Sequence, residues 1–152
     1  MNMFNRLKGR LLFASLALAA GSIASSLWAQ VDVPPQPVDT SDLPDIGQSN
    51  DAWIIQNPYR SDPSVYATAQ RIGKIAFEQN CARCHGPNAV SAGIIPDLRR
   101  LDVGVAGDEW FITRYRHGLK RDGKVFMPPI GGALGQKTGW AIRSWLDTRH
   151  ED

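Results

Sequence analysis

Two cysteines, separated by two residues and followed at once by a histidine, constrain this chain of 152 residues more than any other feature. The run is Cys81-Ala82-Arg83-Cys84-His85, and the sequence holds no further cysteine. C-x-x-C-H is the pattern that attaches haem c. The chemistry accounts for the spacing. Two thiols add to the two vinyl groups of a porphyrin, whose separation requires two intervening residues. The next residue then falls beneath the iron and offers an imidazole nitrogen. A zinc site would need more ligands, and His117 and His150 do not sit at the usual paired spacing. A thioredoxin-like disulfide would want a βαβ context, and no alternating run suggests a strand.

The start of the chain agrees with that chemistry. Residues 1–10 carry Arg6, Lys8 and Arg10 and no acid, and residues 11–29 carry no charge. A basic start, an apolar stretch and small residues near its end read as a secretory signal peptide over residues 1–29. Cleavage after Ala29 or after Ala24 fits. The competing reading is an uncleaved anchor, since nineteen uncharged residues approach the ~20 that span a bilayer. Ser, Gly and Ala dilute the stretch, which favours cleavage and export to the periplasm. Haem attachment takes place outside the bacterial cytoplasm, so each feature supports the other.

With the leader removed, the formal charge of +2 becomes 14 basic residues against 15 acids, a net of −1. Residues 30–65 hold six aspartates against Arg60 and six of the ten prolines. They read as an acidic, Pro-rich, irregular arm. The stretch 52–55 is too apolar for a solvated linker and is expected to pack on the domain, with Asn57-Pro58 making a turn. Residues 66–152 hold 13 bases and nine acids, a net of +4. That is too weak to argue nucleic acid, and no P-loop or dinucleotide fingerprint appears.

Within 66–152 the apolar spacing predicts a helix over 66–80, with Ala69, Ile72, Gly73, Ala76 and Phe77 on its buried face. Gly73 costs about 1 kcal/mol of helix propensity against alanine, which points to another element approaching closely. A second helix is predicted over 108–117, with Asp108 capping its first turn. A third runs from about 135–138 to 150, with Ala141, Ile142, Trp145 and Leu146 on one face. Long loops fill 86–107 and 118–135. The fold class is mainly α. Three short helices make a small core, and a chain of this size usually needs a disulfide, metal or cofactor.

The second axial position decides what such a haem does. An iron held on both faces transfers electrons, whereas an open face binds or activates small molecules. After leader removal one methionine remains, Met127, in Phe126-Met127-Pro128-Pro129. The two prolines restrict the backbone and suit a ligand loop, although methionine also serves as core filler. His117 and His150 are the competing ligands. Arg99, Arg100 and Trp110 are candidates to meet haem propionates.

At these residues the chain resembles the class I cytochrome c family, over about 66–150. The resemblance rests on Gly73-x-x-x-Phe77, residues 81–85, the Met127 loop and a last helix with Trp145. It implies helices packed around one covalent haem, with the first and last helices crossing so that Gly73 and Phe77 meet Trp145. It implies His85 and Met127 as iron ligands, and Pro96 as the carbonyl that accepts the other imidazole N–H. Leu98 matches the leucine that packs on the haem. The order of Asn57-Pro58-Tyr59-Arg60, Cys84-His85-Gly86, residues 91–99, residues 108–111, Met127-Pro128-Pro129 and residues 140–143 is similar to the cytochrome c-550 group. Those proteins serve periplasmic quinoprotein alcohol dehydrogenases, which use pyrroloquinoline quinone with calcium or a lanthanide.

The resemblance therefore implies a monomeric periplasmic one-electron carrier rather than an enzyme. Its donor would be a quinoprotein alcohol dehydrogenase, and its acceptor a terminal oxidase or another cytochrome of the respiratory chain. Two alternatives stand beside it: a haem subunit of a larger membrane oxidoreductase complex, and a small-molecule-binding haem protein with Met127 unbound.

Overall fold

In the computed structural model, residues 33–47, 52–91 and 93–151 are described. The proposed leader, 1–29, lies outside them. Among the described residues no helix is long and apolar enough to cross a membrane.

The first long helix, α1, spans Pro63–Asn80. It begins three residues before the apolar periodicity does, because Asp62 caps it by accepting from the Ser64 and Val65 amides, and Pro63 supplies a helical φ at the first position. The one-turn helix α2, Ala82–His85, follows after Cys81. Helix α3 spans Val105–His117 and α4 spans Gly131–Asp147. Gly135 interrupts α4 with φ 74° and ψ 169°, so a turn at its start precedes the long segment that carries the buried face.

The α1–α4 crossing forms the centre of the fold. A Cβ on Gly73 would lie 1.9 Å from the Ala141 carbonyl oxygen, so the backbones meet there without room for a methyl group. The expected aromatic contact is one turn along, where the Phe77 and Trp145 rings sit 4.7 Å apart. Gly73 thus makes room for the backbone of α4, and Phe77 meets Trp145. Ala69, Ile72, Ala76, Trp140, Ile142 and Leu146 complete the buried centre, and Phe111, Ile112 and Tyr115 close it from α3.

Two expectations need correction. The stretch 118–135 is not a long loop: β1, Leu119–Arg121, pairs antiparallel with β2, Lys124–Met127. Asp122-Gly123 makes the turn, with φ of 49° and 74°, the two left-handed residues of a type I′ hairpin. Nor does Asp108 cap a helix. Helix α3 starts earlier, after Gly104, and Asp108 is fully buried within it.

The arm contains no regular helix or strand from 34 to 47, yet it is tied down along its length and belongs to one unit with the helices. Leu43 is buried against the core. The Gln36 amide donates to Asn80 Oδ1 at 2.7 Å, and Asn80 Nδ2 donates back to the Gln36 carbonyl at 3.2 Å. Arg71 pairs with Asp42, and buried Gln136 donates to the Ile46 and Gly47 carbonyls. Trp53 and Ile54 pack on the core, while Ile55 is exposed. Asn57 caps a 3₁₀ turn over Pro58–Ser61.

Candidate haem-attachment site

Helix α1 ends where the cysteines begin. The Cys81 amide closes its last turn on the Phe77 carbonyl at 2.7 Å, and the Cys84 and His85 amides both donate to the Cys81 carbonyl. This tight turn puts both thiols and the imidazole on about one turn of backbone. Both thiols are free of disulfide. Burial pushes the Cys81 thiol up to about 12, so it is neutral until alkylated; Cys84 is exposed.

His85 is half-buried. Its Nδ1 stands 3.4 Å from the Pro96 carbonyl oxygen, and among the described residues no hydrogen bond engages Nε2. Burial lowers its pKa, and the Pro96 contact opposes that shift. The imidazole is therefore neutral near pH 7, the form that ligates a metal. A carbonyl at Nδ1 favours the tautomer that leaves the Nε2 lone pair outward. Two free thiols, a neutral imidazole oriented by a carbonyl, and an unclaimed Nε2 fit a covalent haem.

The chain fixes this turn from both sides. Asn80, the residue before Cys81, is clasped by Gln36. Beyond His85, the Asn88 amide donates to Glu78 Oε1 at 3.0 Å, with Asn88 in the left-handed region. Sequence reading missed Asn80, Glu78 and Gln36 because their partners are 10 to 44 positions away. Leu98 is buried at the head of a 3₁₀ turn, Leu98–Arg100. Met127 lies on a different element, at the end of β2, half-buried and followed by exposed Pro128 and Pro129. No hydrogen bond joins it to the cysteine turn among the described residues.

The propionate candidates separate. Arg99 is engaged by Asp97 and Glu151 at 2.7 and 2.6 Å. Trp110 is 42% exposed with the Arg114 guanidinium stacked over it. Of the competing histidines, exposed His117 ends α3, and exposed His150 has Nδ1 3.0 Å from the Leu101 carbonyl oxygen.

A charged cluster that sequence reading did not foresee lies at the ends of α3 and α4. Asp108 receives hydrogen bonds from Arg60, from Arg143 at 2.9 Å and from the Asn57 amide at 2.8 Å. Asp147 pairs with Arg60 at 2.7 Å and Arg143 at 3.0 Å, and accepts from the Tyr66 hydroxyl at 2.6 Å. Two arginines and two aspartates balance. Burial alone would raise the Asp108 pKa, but the Arg60, Asn57 and Arg143 hydrogen bonds outweigh it and hold it below the usual range. The signal was available: Asn57-Pro58-Tyr59-Arg60 ends in the one base of an acidic segment, and that base is the one the cluster uses.

Comparison with known proteins bears on this site. The family model described as cytochrome C oxidase, cbb3-type, subunit III matches residues 68–146. Cytochrome c550 of Pseudomonas aeruginosa is 45% identical over 152 residues, covering 100% of this chain and 99% of that protein. The dehydrogenase subunit of the alcohol dehydrogenase (quinone) of Gluconobacter oxydans is 38% identical over 42 residues, 28% of this chain and 6% of that protein. No solved structure matches the chain. A paired-thiol turn with an oriented histidine, on a helical fold matched by a cytochrome model and along its full length by a cytochrome c550, leads to one conclusion: the chain belongs to the class I c-type cytochromes, electron-transfer proteins that bind haem c covalently.

Proposed function

We propose that this cytochrome is a periplasmic one-electron carrier with a single haem, ligated by His85 and Met127, that takes electrons from a quinoprotein alcohol dehydrogenase and passes them to the respiratory chain. The observation that carries the reading is the residue 81–85 turn, with both thiols free and His85 oriented by Pro96.

Haem c supplies an iron that cycles between ferric and ferrous states. The chain's residues do the rest. Cys81 and Cys84 hold the ring covalently through their sulfurs. Pro96 keeps His85 in one tautomer and one orientation, so the imidazole is retained in both oxidation states. Met127 offers a thioether from a strand end stiffened by two prolines. A His/Met pair raises the potential relative to two histidines. Leu98, buried at the head of its turn, would pack on the bound haem and keep water from it. A haem held between His85 and Met127 would need little rearrangement of these side chains between its two oxidation states.

Full-length similarity to a cytochrome c550 supports a free carrier over a subunit of a membrane complex. The donor assignment is supported by the order of motifs shared with the c-550 group and by the partial match to a quinone alcohol dehydrogenase subunit. Cleavage of residues 1–29 places the mature chain in the periplasm. Mixing the purified holoprotein with a purified quinoprotein alcohol dehydrogenase and ethanol tests the donor. Reduction of the haem at a rate matching turnover is expected. A haem that stays ferric while the dehydrogenase reduces an artificial acceptor contradicts it.

A further inference from the structure

The hairpin of β1 and β2 contributes no residue to the buried core. Both strands are exposed except at Leu119 and Met127, which pair at its root. They pack chiefly on each other. The type I′ turn at Asp122-Gly123 matches the twist of the strands, which makes the projection a stiff one. Its root is anchored: a Cβ on Gly118 would lie 2.2 Å from the Met127 carbonyl oxygen, so the backbones are in contact.

Charge distinguishes the tip as well. Lys120, Arg121 and Lys124 are exposed around the turn against the single acid Asp122. Among the described residues none of the three is in an ion pair. Arg60, Arg71, Arg99 and Arg143, by contrast, each engage a carboxylate. Arg114 and Arg116, at the adjoining end of α3, lie over Trp110 and Trp53 and add two more positive charges. Of the arm's described acids, Asp42 is paired with Arg71 on α1 rather than with the hairpin.

We infer that the tip of this hairpin, through Lys120, Arg121 and Lys124, is a docking finger for an acidic face of a protein redox partner. The inference rests on the proposed carrier reading, in which Met127 stands at the haem and the finger guides the partner to that edge. Exposed charges of this kind accelerate encounter more than they tighten the complex. That suits a carrier, which must release each partner after one electron.

The test uses the holoprotein with K120Q/K124Q, and K74Q/K137Q as a control that removes the same charge elsewhere. Stopped-flow rates are measured with the quinoprotein alcohol dehydrogenase, with ferricyanide and with the cationic oxidant tris(phenanthroline)cobalt(III). At low salt, K120Q/K124Q should slow the dehydrogenase and ferricyanide reactions several-fold and speed the cobalt reaction. The differences should close at high salt. K74Q/K137Q should stay near wild type, with unchanged melting curves for both pairs. Equal effects of the two pairs would overturn the inference, since net charge alone would then explain them. Wild-type binding to phosphatidylglycerol vesicles that K120Q/K124Q abolishes, with unaltered electron-transfer rates, would also overturn it in favour of a membrane surface. If the dehydrogenase fails to reduce wild type while the two small oxidants respond as expected, the donor assignment falls and the finger stands.

Discussion

Gly73 sets how closely the first and last helices approach. Its missing side chain lets the Ala141 carbonyl within a distance no Cβ tolerates. Because backbone faces backbone, no rotamer change relieves the clash. Gly73→Ala should cost about 3 kcal/mol, the upper end of the overpacking range, read as a lowered denaturation midpoint of the holoprotein. Asp108 is the second decisive residue. Replacing it with asparagine leaves Arg60 and Arg143 short of a buried negative charge, a loss of about 3–5 kcal/mol at pH 7. Its depressed pKa gives that loss a pH dependence. The stabilisation is fully present above the ordinary carboxylate value of about 3.9 and is lost as pH falls through the lower folded value. The gap between the melting temperatures of wild type and Asp108→Asn should therefore narrow as pH falls below the ordinary carboxylate value; a constant gap would contradict the assignment. Gly73 announced itself in the sequence, because a glycine in an apolar helix stripe is costly unless something lies against it. Asp108 did not. An acid early in a helix reads first as a cap, and only the fold shows two distant arginines converging on it.

Among the elements, α1 and α4 were legible from periodicity and the cysteine turn from its motif. The hairpin was not, because its strands are exposed and lack the alternation that marks a half-buried strand. The available signal was local: Asp122-Gly123 between Lys-Arg and Lys-Val, a dipeptide with strong type I′ preference. The arm's composition suggested irregular backbone, and residues 34–47 hold no helix or strand, but composition says nothing of where such a segment docks. Leu43 shows that docking. Leu43→Ala should lower stability by about 2–3 kcal/mol, measured by thermal melting of the holoprotein. A change below about 0.5 kcal/mol, the range of exposed sites, would mean that the arm does not hold to the core. The arm also reaches Asn80, so the cysteine turn is braced by a segment outside the predicted helical domain.

At the scale of the whole molecule, the described residues form a small helical core at the α1–α4 crossing, and the cysteine turn follows directly from α1. Sequence alone names Cys81, Cys84 and His85 as the proposed attachment residues, since the chemistry of two vinyl groups and one iron dictates their spacing. Met127, the proposed distal ligand, is harder to read, because such a ligand has no fixed spacing from the motif and Met127 lies on a separate element. The account turns on it: a closed sixth position makes a carrier, and an open one makes a binding protein. The most direct test is the optical spectrum and carbon monoxide reactivity of the holoprotein beside Met127→Ala. The account predicts that the wild-type ferric protein shows the long-wavelength charge-transfer band of a thioether–iron bond and that its ferrous form resists carbon monoxide. Met127→Ala should lose the band, bind the gas rapidly and have a lower potential. A wild-type protein without the band that takes up carbon monoxide as fast as the variant would contradict it.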